Sequence, residues 1–422
     1  MHRWPDDPSF LPPSMSSFTA EVRLRTLCDH LLHGVSPSPT GGDGGGGQGK
    51  DKDKDKDKEQ YADEYGEMDS SGLTHTVEAH MLESGVVLRK APVRYNTWGR
   101  LNGARDNVLV VCHALTGNSR LDTWWGDLLG AGRPFDTDTF FVVCFNMLGS
   151  CYGTAGPLET NPETGKKYGA TFPSVTIRDC VGLHLRTLRE ALGVTRVHCV
   201  IGGSLGGMQA LEWGFIGGDL VRSVAALACG GRHHAWQIGI GKVQRRAIYA
   251  DPHWNGGDYD PSRPPALGLS IARQMAMLTY RTHHSLEAKF GRKTQPQQAR
   301  AHFGQSHFAV ESYLNYQGDK FLKRFDANSY IALTKMMDSH DVSRGRGEYH
   351  EVLRSLKIPV LVVGVDSDVL YPLVEQQELA RLLPNSTFVV VTSVEGHDGF
   401  LLEQEQVGKA LTRFIVNPLA QW

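Results

Sequence analysis

No stretch of this chain is apolar for long enough to cross a bilayer. The longest such run, near Val108 to Leu115, falls far short of the roughly 20 residues a spanning helix needs. An excess of one charge is lacking too. With 44 Lys and Arg against 46 Asp and Glu, the net charge of -2 offers no footprint for nucleic acid or an anionic membrane surface. The opening residues, Met1-His-Arg-Trp-Pro-Asp-Asp-Pro, lack the charged-then-apolar pattern of a secretory signal, and their early acids and prolines speak against a transit peptide. The seven cysteines (Cys28, Cys112, Cys144, Cys151, Cys180, Cys199 and Cys229) include no Cys-x-x-Cys pair. Several sit inside strand-like runs, where a thiol behaves as a small buried hydrophobe. A disulfide scaffold and a zinc site are therefore not expected, and a reducing, cytoplasmic setting is. Nor do the pairs His233-His234 and His283-His284 have metal-ligand spacing, so no metal is expected. A Walker loop and a dinucleotide fingerprint are likewise missing.

What is present begins with a change of texture. Residues 41 to 58 are glycine-rich and then alternate Asp and Lys, a composition that buries nothing. Residues 1 to 71 are expected to form a disordered spacer, with at most a short helix around Phe18 to Leu32. From Leu73 onward the pattern is that of a folded domain. Val86 to Tyr95 alternates apolar and polar residues, as antiparallel strands do. Apolar runs typical of parallel strands buried on both faces follow at 107–112, 140–145, 197–201, 224–228, 359–365 and 387–391. Helical segments lie between several of them. The clearest starts at Thr176 with Asp179 completing a near capping box, carries Val181, Leu185, Leu188 and Leu192 on one face, and stops at Gly193. Strand and helix in alternation predict a mostly parallel sheet with helices on both faces. Between 233 and 350 the alternation breaks, with helices expected at 269–280 and 330–337, so this segment reads as an inserted helical lid. The expected divisions are 1–71, core 72–232, lid 233–350 and core 351–422.

The chemistry centres on Val197 to Glu212, V-H-C-V-I-G-G-S-L-G-G-M-Q-A-L-E. This is Gly-x-Ser-x-Gly between a strand and a helix, the context in which a sharp turn exposes a nucleophilic serine, here Ser204. A serine hydroxyl needs a base, an orienting acid and an oxyanion hole. At the ends of late strands lie Asp366 and Asp368 in D-S-D-V-L-Y-P and His397 in G-H-D-G-F. The order Ser, Asp, His is that of the α/β-hydrolase fold. The oxyanion donors expected are the N–H of Leu205, which follows the nucleophile, and that of Leu115 in the loop H-A-L-T-G. His113 in that loop reads as structural.

Ten ordered stretches then resemble the homoserine O-acetyltransferase family of α/β-hydrolase-fold acyltransferases. They are Y-N-T-W-G (95–99), H-A-L-T-G (113–117), N-M-L-G-S-C-Y-G-T-A-G-P (146–157), Y-G-A-T-F-P (168–173) and G-G-S-L-G-G-M-Q-A-L-E-W (202–213). They continue with A-D-P-H-W-N-G-G-D-Y (250–259), G-L-S-I-A-R-Q-M-A-M-L-T-Y-R (268–281), D-S-H-D-V-S-R-G-R (338–346), D-S-D-V-L-Y-P (366–372) and G-H-D-G-F (396–400). The resemblance covers about 72 to 416. It implies Ser204 as nucleophile, Asp368 rather than Asp366 as the acid, and His397 as base. It further implies substrate contacts from Arg273, Asp398 and Tyr280. An arginine fork suits an α-carboxylate and an aspartate an α-ammonium, so these types fit an amino-acid acceptor. The activity implied is ping-pong transfer of an acetyl group from acetyl-CoA, a co-substrate rather than a bound cofactor, to L-homoserine, in methionine biosynthesis. A homodimer is implied as well. Acetylation of L-serine or of deacetylcephalosporin C, and plain ester hydrolysis, use the same triad and remain alternatives. Residues 1 to 71 have no counterpart in the family, and Leu205 stands where many members have Met.

Overall fold

The computed structural model describes residues 71–294 and 308–419. The disordered spacer and the short helix expected before Ser71 lie outside the described residues. Eight strands form one sheet: β1 (Leu73–Met81), β2 (Val87–Trp98), β3 (Val108–Cys112), β4 (Phe141–Phe145), β5 (Val197–Gly203), β6 (Val224–Leu227), β7 (Val360–Val365) and β8 (Ser386–Val391). Their order is β1-β2-β4-β3-β5-β6-β7-β8. The first two pairings, β1 with β2 and β2 with β4, are antiparallel. All the others are parallel.

The apolar runs are continuous because the central strands are covered on both sides. Alternate residues of one strand serve opposite faces. Val108, Val110 and Cys112 of β3 join one apolar cluster with Val143 and Val200, whereas Leu109 and Val111 join the other with Val142, Cys199 and Ile201. Each such fully buried aliphatic side chain stabilises the fold by roughly 1.5–3 kcal/mol. The six described cysteines are all buried and unpaired in disulfides.

Helices α1 (Ile177–Leu192) and α2 (Leu205–Ile216) pack together beside this sheet. The cap of α1 is a complete capping box between Thr176 and Asp179, and Gly193 ends it at φ 60°. Between β6 and β7 the described residues form α3 (Ala235–Tyr249), α4 (Ala266–Tyr280), α5 (His283–Lys289), α6 (Ala309–Leu322), α7 (Ala327–Asp338) and α8 (Tyr349–Ser355). The segment leaves and rejoins the core at one point, where Arg232 bridges Asp341 and the His233 N–H donates to the His340 carbonyl at 2.8 Å. After that point the chain is clamped to the core by charge. The nearly buried carboxylate of Glu212 on α2 accepts from Arg178 Nε at 3.1 Å and from Arg346 Nη2 at 2.7 Å. Helix α8 packs on α9 (Leu373–Leu382), which belongs to the core, and α10 (Gln404–Val416) closes the chain. No helix among the described residues is long and apolar enough to cross a membrane.

Candidate active site

Strand β5 ends at Gly203 and α2 starts at Leu205, so the whole reversal falls on Ser204. Its backbone sits at φ 57° and ψ -124°, a region that non-glycine residues rarely occupy. Two neighbours must be glycine for the turn to fit. A Cβ on Gly203 would lie 2.3 Å from the Phe400 ring, and one on Gly206 would lie 2.1 Å from the Cys112 carbonyl oxygen. The second contact also sets the end of β3, and with it the loop from His113, directly against the start of α2. The Ser204 N–H is held by the Leu227 carbonyl at 2.9 Å.

The acid and the base meet across two strand ends. His397 Nδ1 lies 2.7 Å from Asp368 Oδ2, while Asp368 Oδ1 accepts the N–H groups of Leu370 and Tyr371, each at 2.8 Å. Both carboxylate oxygens are thus committed, and both side chains are buried. Asp366, the other candidate acid, is exposed and accepts the Ser393 N–H at 3.0 Å instead. Burial pushes the His397 pKa down, but the Asp368 charge and hydrogen bond outweigh it, Asp398 adds to them, and the value ends above the ordinary 6.5. The imidazole is boxed by Tyr371, Phe400 and Tyr280 at centroid distances of 5.2, 5.4 and 5.8 Å. Phe400 links the base to the serine, because the same ring abuts Gly203.

The two expected oxyanion residues flank this site. Leu205 is the first residue of α2, and the leading N–H groups of a helix have no intrahelical acceptor. Leu115 is buried in the loop after β3, which turns through the bond from the Gly117 N–H to the Ala114 carbonyl and is gripped at the Thr116 carbonyl by the buried Arg324, 2.6 Å away. The His113 ring is fully buried between the Ala114 carbonyl and the Met147 N–H, and burial lowers its pKa to about 4. It therefore holds the loop as a neutral group.

Arg273 and Tyr280 are two turns apart on α4 and share a face. The Arg273 guanidinium is buried, 5.8 Å from the Tyr280 centroid and 5.1 Å from that of Phe321. Its Nε has no hydrogen-bond partner among the described residues. A buried cation in that condition is costly. Asp398 is differently placed. Its Oδ2 lies 3.1 Å from Arg281 Nε, and burial raises its pKa against the opposing charges of Arg281, His397 and Arg273. Sequence reasoning missed Arg281 and its second partner, Glu395, which also accepts from Ser285 Oγ at 2.7 Å. Glu395 stands two residues before His397, yet nothing in the local pattern points to an arginine 114 positions upstream. No group of three His, Cys, Asp or Glu among the described residues could hold a metal ion.

A family model for the α/β hydrolase fold matches residues 107–404. A homoserine O-acetyltransferase from Salinibacter ruber is 52% identical over 348 residues, 82% of this chain and 97% of its own. The crystal structure of a homoserine O-acetyltransferase from Bacillus anthracis superposes with a TM-score of 0.77 over 83% of this chain and 98% of its own; at 24% identity it speaks for the fold. Esterase E22 gives a TM-score of 0.75 at 25% identity, over 82% of this chain and 99% of its own. By its sequence and its architecture the chain belongs to the homoserine O-acetyltransferase family of α/β-hydrolase-fold enzymes.

Proposed function

We propose that the protein transfers an acetyl group from acetyl-CoA to the hydroxyl of L-homoserine by a ping-pong mechanism on Ser204. His397 Nε2 takes the proton of Ser204 Oγ as the oxygen attacks the thioester carbonyl carbon. The N–H groups of Leu115 and Leu205 hold the resulting oxyanion. The C–S bond breaks, the CoA thiolate takes the proton from His397, and an acetyl ester remains on Ser204. The homoserine hydroxyl then gives its proton to His397 and attacks that ester, and Ser204 leaves with the proton returned. Asp368 holds the ring in the tautomer that presents Nε2 and stabilises the imidazolium formed twice per cycle. The helices between β6 and β7 act as a lid that keeps water from the acetyl-serine.

The observation that carries this reading is Arg273, a buried guanidinium whose Nε is left open beside the catalytic histidine's aromatic box. A free amino acid brings the carboxylate that this group calls for; a simple ester does not. Asp398 would meet the α-ammonium with the oxygen that Arg281 leaves free, and Tyr280 would pack between the two. The likeness to esterase E22 keeps hydrolysis as the second reading. We extend the proposal to a homodimer, which is supported by the exposed Val243, Leu267 and Leu278 on α3 and α4 and is checked by light scattering, and to a cytoplasmic setting, which the unpaired cysteines support.

The test is CoA release from acetyl-CoA with L-homoserine, L-serine or water as acceptor. The expected outcome is a rate that depends strongly on homoserine. Preference for serine would keep the mechanism and change the product, since one methylene discriminates by only about 1–3 kcal/mol. Equal release with water alone would make the enzyme a hydrolase and remove the acceptor roles of Arg273 and Asp398.

A further inference from the structure

Three consecutive residues following the catalytic acid are each held by the first turns of the insertion. Trp236 Nε1 donates to the Val369 carbonyl at 2.9 Å and Gln237 Nε2 to the Leu370 carbonyl at 2.9 Å. His233 Nε2 lies 3.0 Å from the Tyr371 hydroxyl. The His233 ring is buried and stacks on Tyr371 at a centroid distance of 6.0 Å. Its other nitrogen, Nδ1, lies 3.4 Å from Asp338 Oδ1 at the end of α7, and Asp338 Oδ2 is 2.5 Å from Arg245 Nη2 on α3. Neither Nδ1 nor that carboxylate oxygen makes a hydrogen bond among the described residues, so the ring's one hydrogen bond is the one between Nε2 and the tyrosine hydroxyl.

Tyr371 is completely buried and faces the catalytic pair twice. Its N–H is one of the two that fix Asp368 Oδ1, and its ring packs against the His397 imidazole, 5.2 Å between centroids at 35°. Its hydroxyl points the other way, into the insertion. A continuous set of contacts therefore runs from His397 through Tyr371 and His233 to Asp338 and Arg245, that is, to the first and the last long helices of the insertion. Neither the His-His pair nor the D-S-H-D motif has another task in the chemistry described above.

We propose that Tyr371 is a positioning residue for His397, and that its hydroxyl, anchored on His233, makes the orientation of the catalytic histidine depend on the seating of the insertion. Productive proton transfer requires the imidazole to stay aligned between Asp368 Oδ2 and Ser204, and misplacement on the order of 1 Å is enough to cost about a hundredfold in rate. The ring of Tyr371 limits His397 on one side, and the hydroxyl decides where that ring sits. The inference rests on the Ser204–His397–Asp368 reading, and the experiment separates the two.

The variants are Tyr371→Phe, His233→Leu, their double variant, and Ser204→Ala as control, each in the full-length protein. Tyr371→Phe keeps the ring and its packing, so the fold survives. Its kcat is expected to fall by about ten- to hundredfold with the acceptor KM within about twofold of wild type. His233→Leu, which has no polar atom to offer the hydroxyl, should do the same, and the double variant should be no worse than either single one, because both remove one contact. The low-field proton resonance between His397 Nδ1 and Asp368, visible by NMR without substrate, should broaden in both. A kcat for Tyr371→Phe within about twofold of wild type, an effect on KM alone, a multiplicative double variant or an unchanged resonance would each overturn the proposal. An active Ser204→Ala would instead overturn the triad reading beneath it.

Discussion

Asp366 and Asp368 are two positions apart on one loop, and their surroundings give them different tasks. The Asp368 carboxylate is buried, with one oxygen on His397 and the other on two backbone N–H groups, whereas Asp366 is exposed and ties down Ser393. Asp368→Asn should therefore lower kcat by about 10⁴-fold, the scale seen when the acid of such a triad becomes an amide. Asp366→Asn should stay within about tenfold, since an amide oxygen still accepts the Ser393 N–H. Steady-state kinetics of the two variants side by side decide between the carboxylates. The same environment fixes the acid limb of the pH profile. His397 must be neutral to act as base, and its pKa lies above 6.5 because Asp368 outweighs burial. Activity should thus rise with pH through an apparent pKa above 6.5 in kcat/KM. A limb below about 6 would show that burial wins instead.

At the scale of elements, the sharp joint between β5 and α2 depends on what is missing at Gly206. A methyl group there would meet a backbone carbonyl, and the Cys112 oxygen cannot swing aside as a side chain can. Gly206→Ala should therefore cost about 1–3 kcal/mol or more in urea unfolding, in addition to activity lost through displacement of the 113–117 loop. Strands buried on both faces were legible because each is a short unbroken apolar run, and the Ser204 elbow because Gly-x-Ser-x-Gly falls at the join of such a run with a helix. Strand β1 was less so: only Val77 and His80 of its nine residues are buried, which leaves little alternation to read. The choice of Asp368 over Asp366 came from resemblance, since both stand at a strand end and only the fold shows which one reaches His397. The pairing of Arg281 with Glu395 and Asp398, and of Arg178 and Arg346 with Glu212, was not legible, because partners so far apart in sequence leave no periodic trace.

For the whole molecule, the junction of insertion and core contains a second carboxylate that is largely covered, Glu375, whose side chain is 11% exposed. Its Oε1 accepts from Gln237 Nε2 at 2.9 Å and lies 3.1 Å from His234 Nδ1, while Oε2 has no hydrogen-bond partner among the described residues. Burial raises its pKa to about 7; Gln237 opposes this and the charge of Asp368 adds to it. A carboxyl whose folded pKa exceeds its unfolded value of 4.5 binds its proton more tightly when folded. Its contribution to stability is therefore present at low pH and is lost as pH rises from about 4.5 to about 7, with no further change above that. Glu375→Gln removes the titration and keeps an acceptor for Gln237. The Tm of that variant relative to wild type should be higher at about pH 8 than at about pH 5, as differential scanning calorimetry would show. An equal difference at both values would mean that the carboxyl is ionised throughout.

The positive φ of Ser204 also sets activity against durability. The strain of that turn, on the order of 1–3 kcal/mol, is carried by every folded molecule whether or not substrate is present. Glycine at 204 would relieve it and abolish turnover, so Ser204→Gly should melt higher than wild type while being inactive. Any selection of this protein for heat resistance alone would favour relaxing the residue on which its chemistry depends.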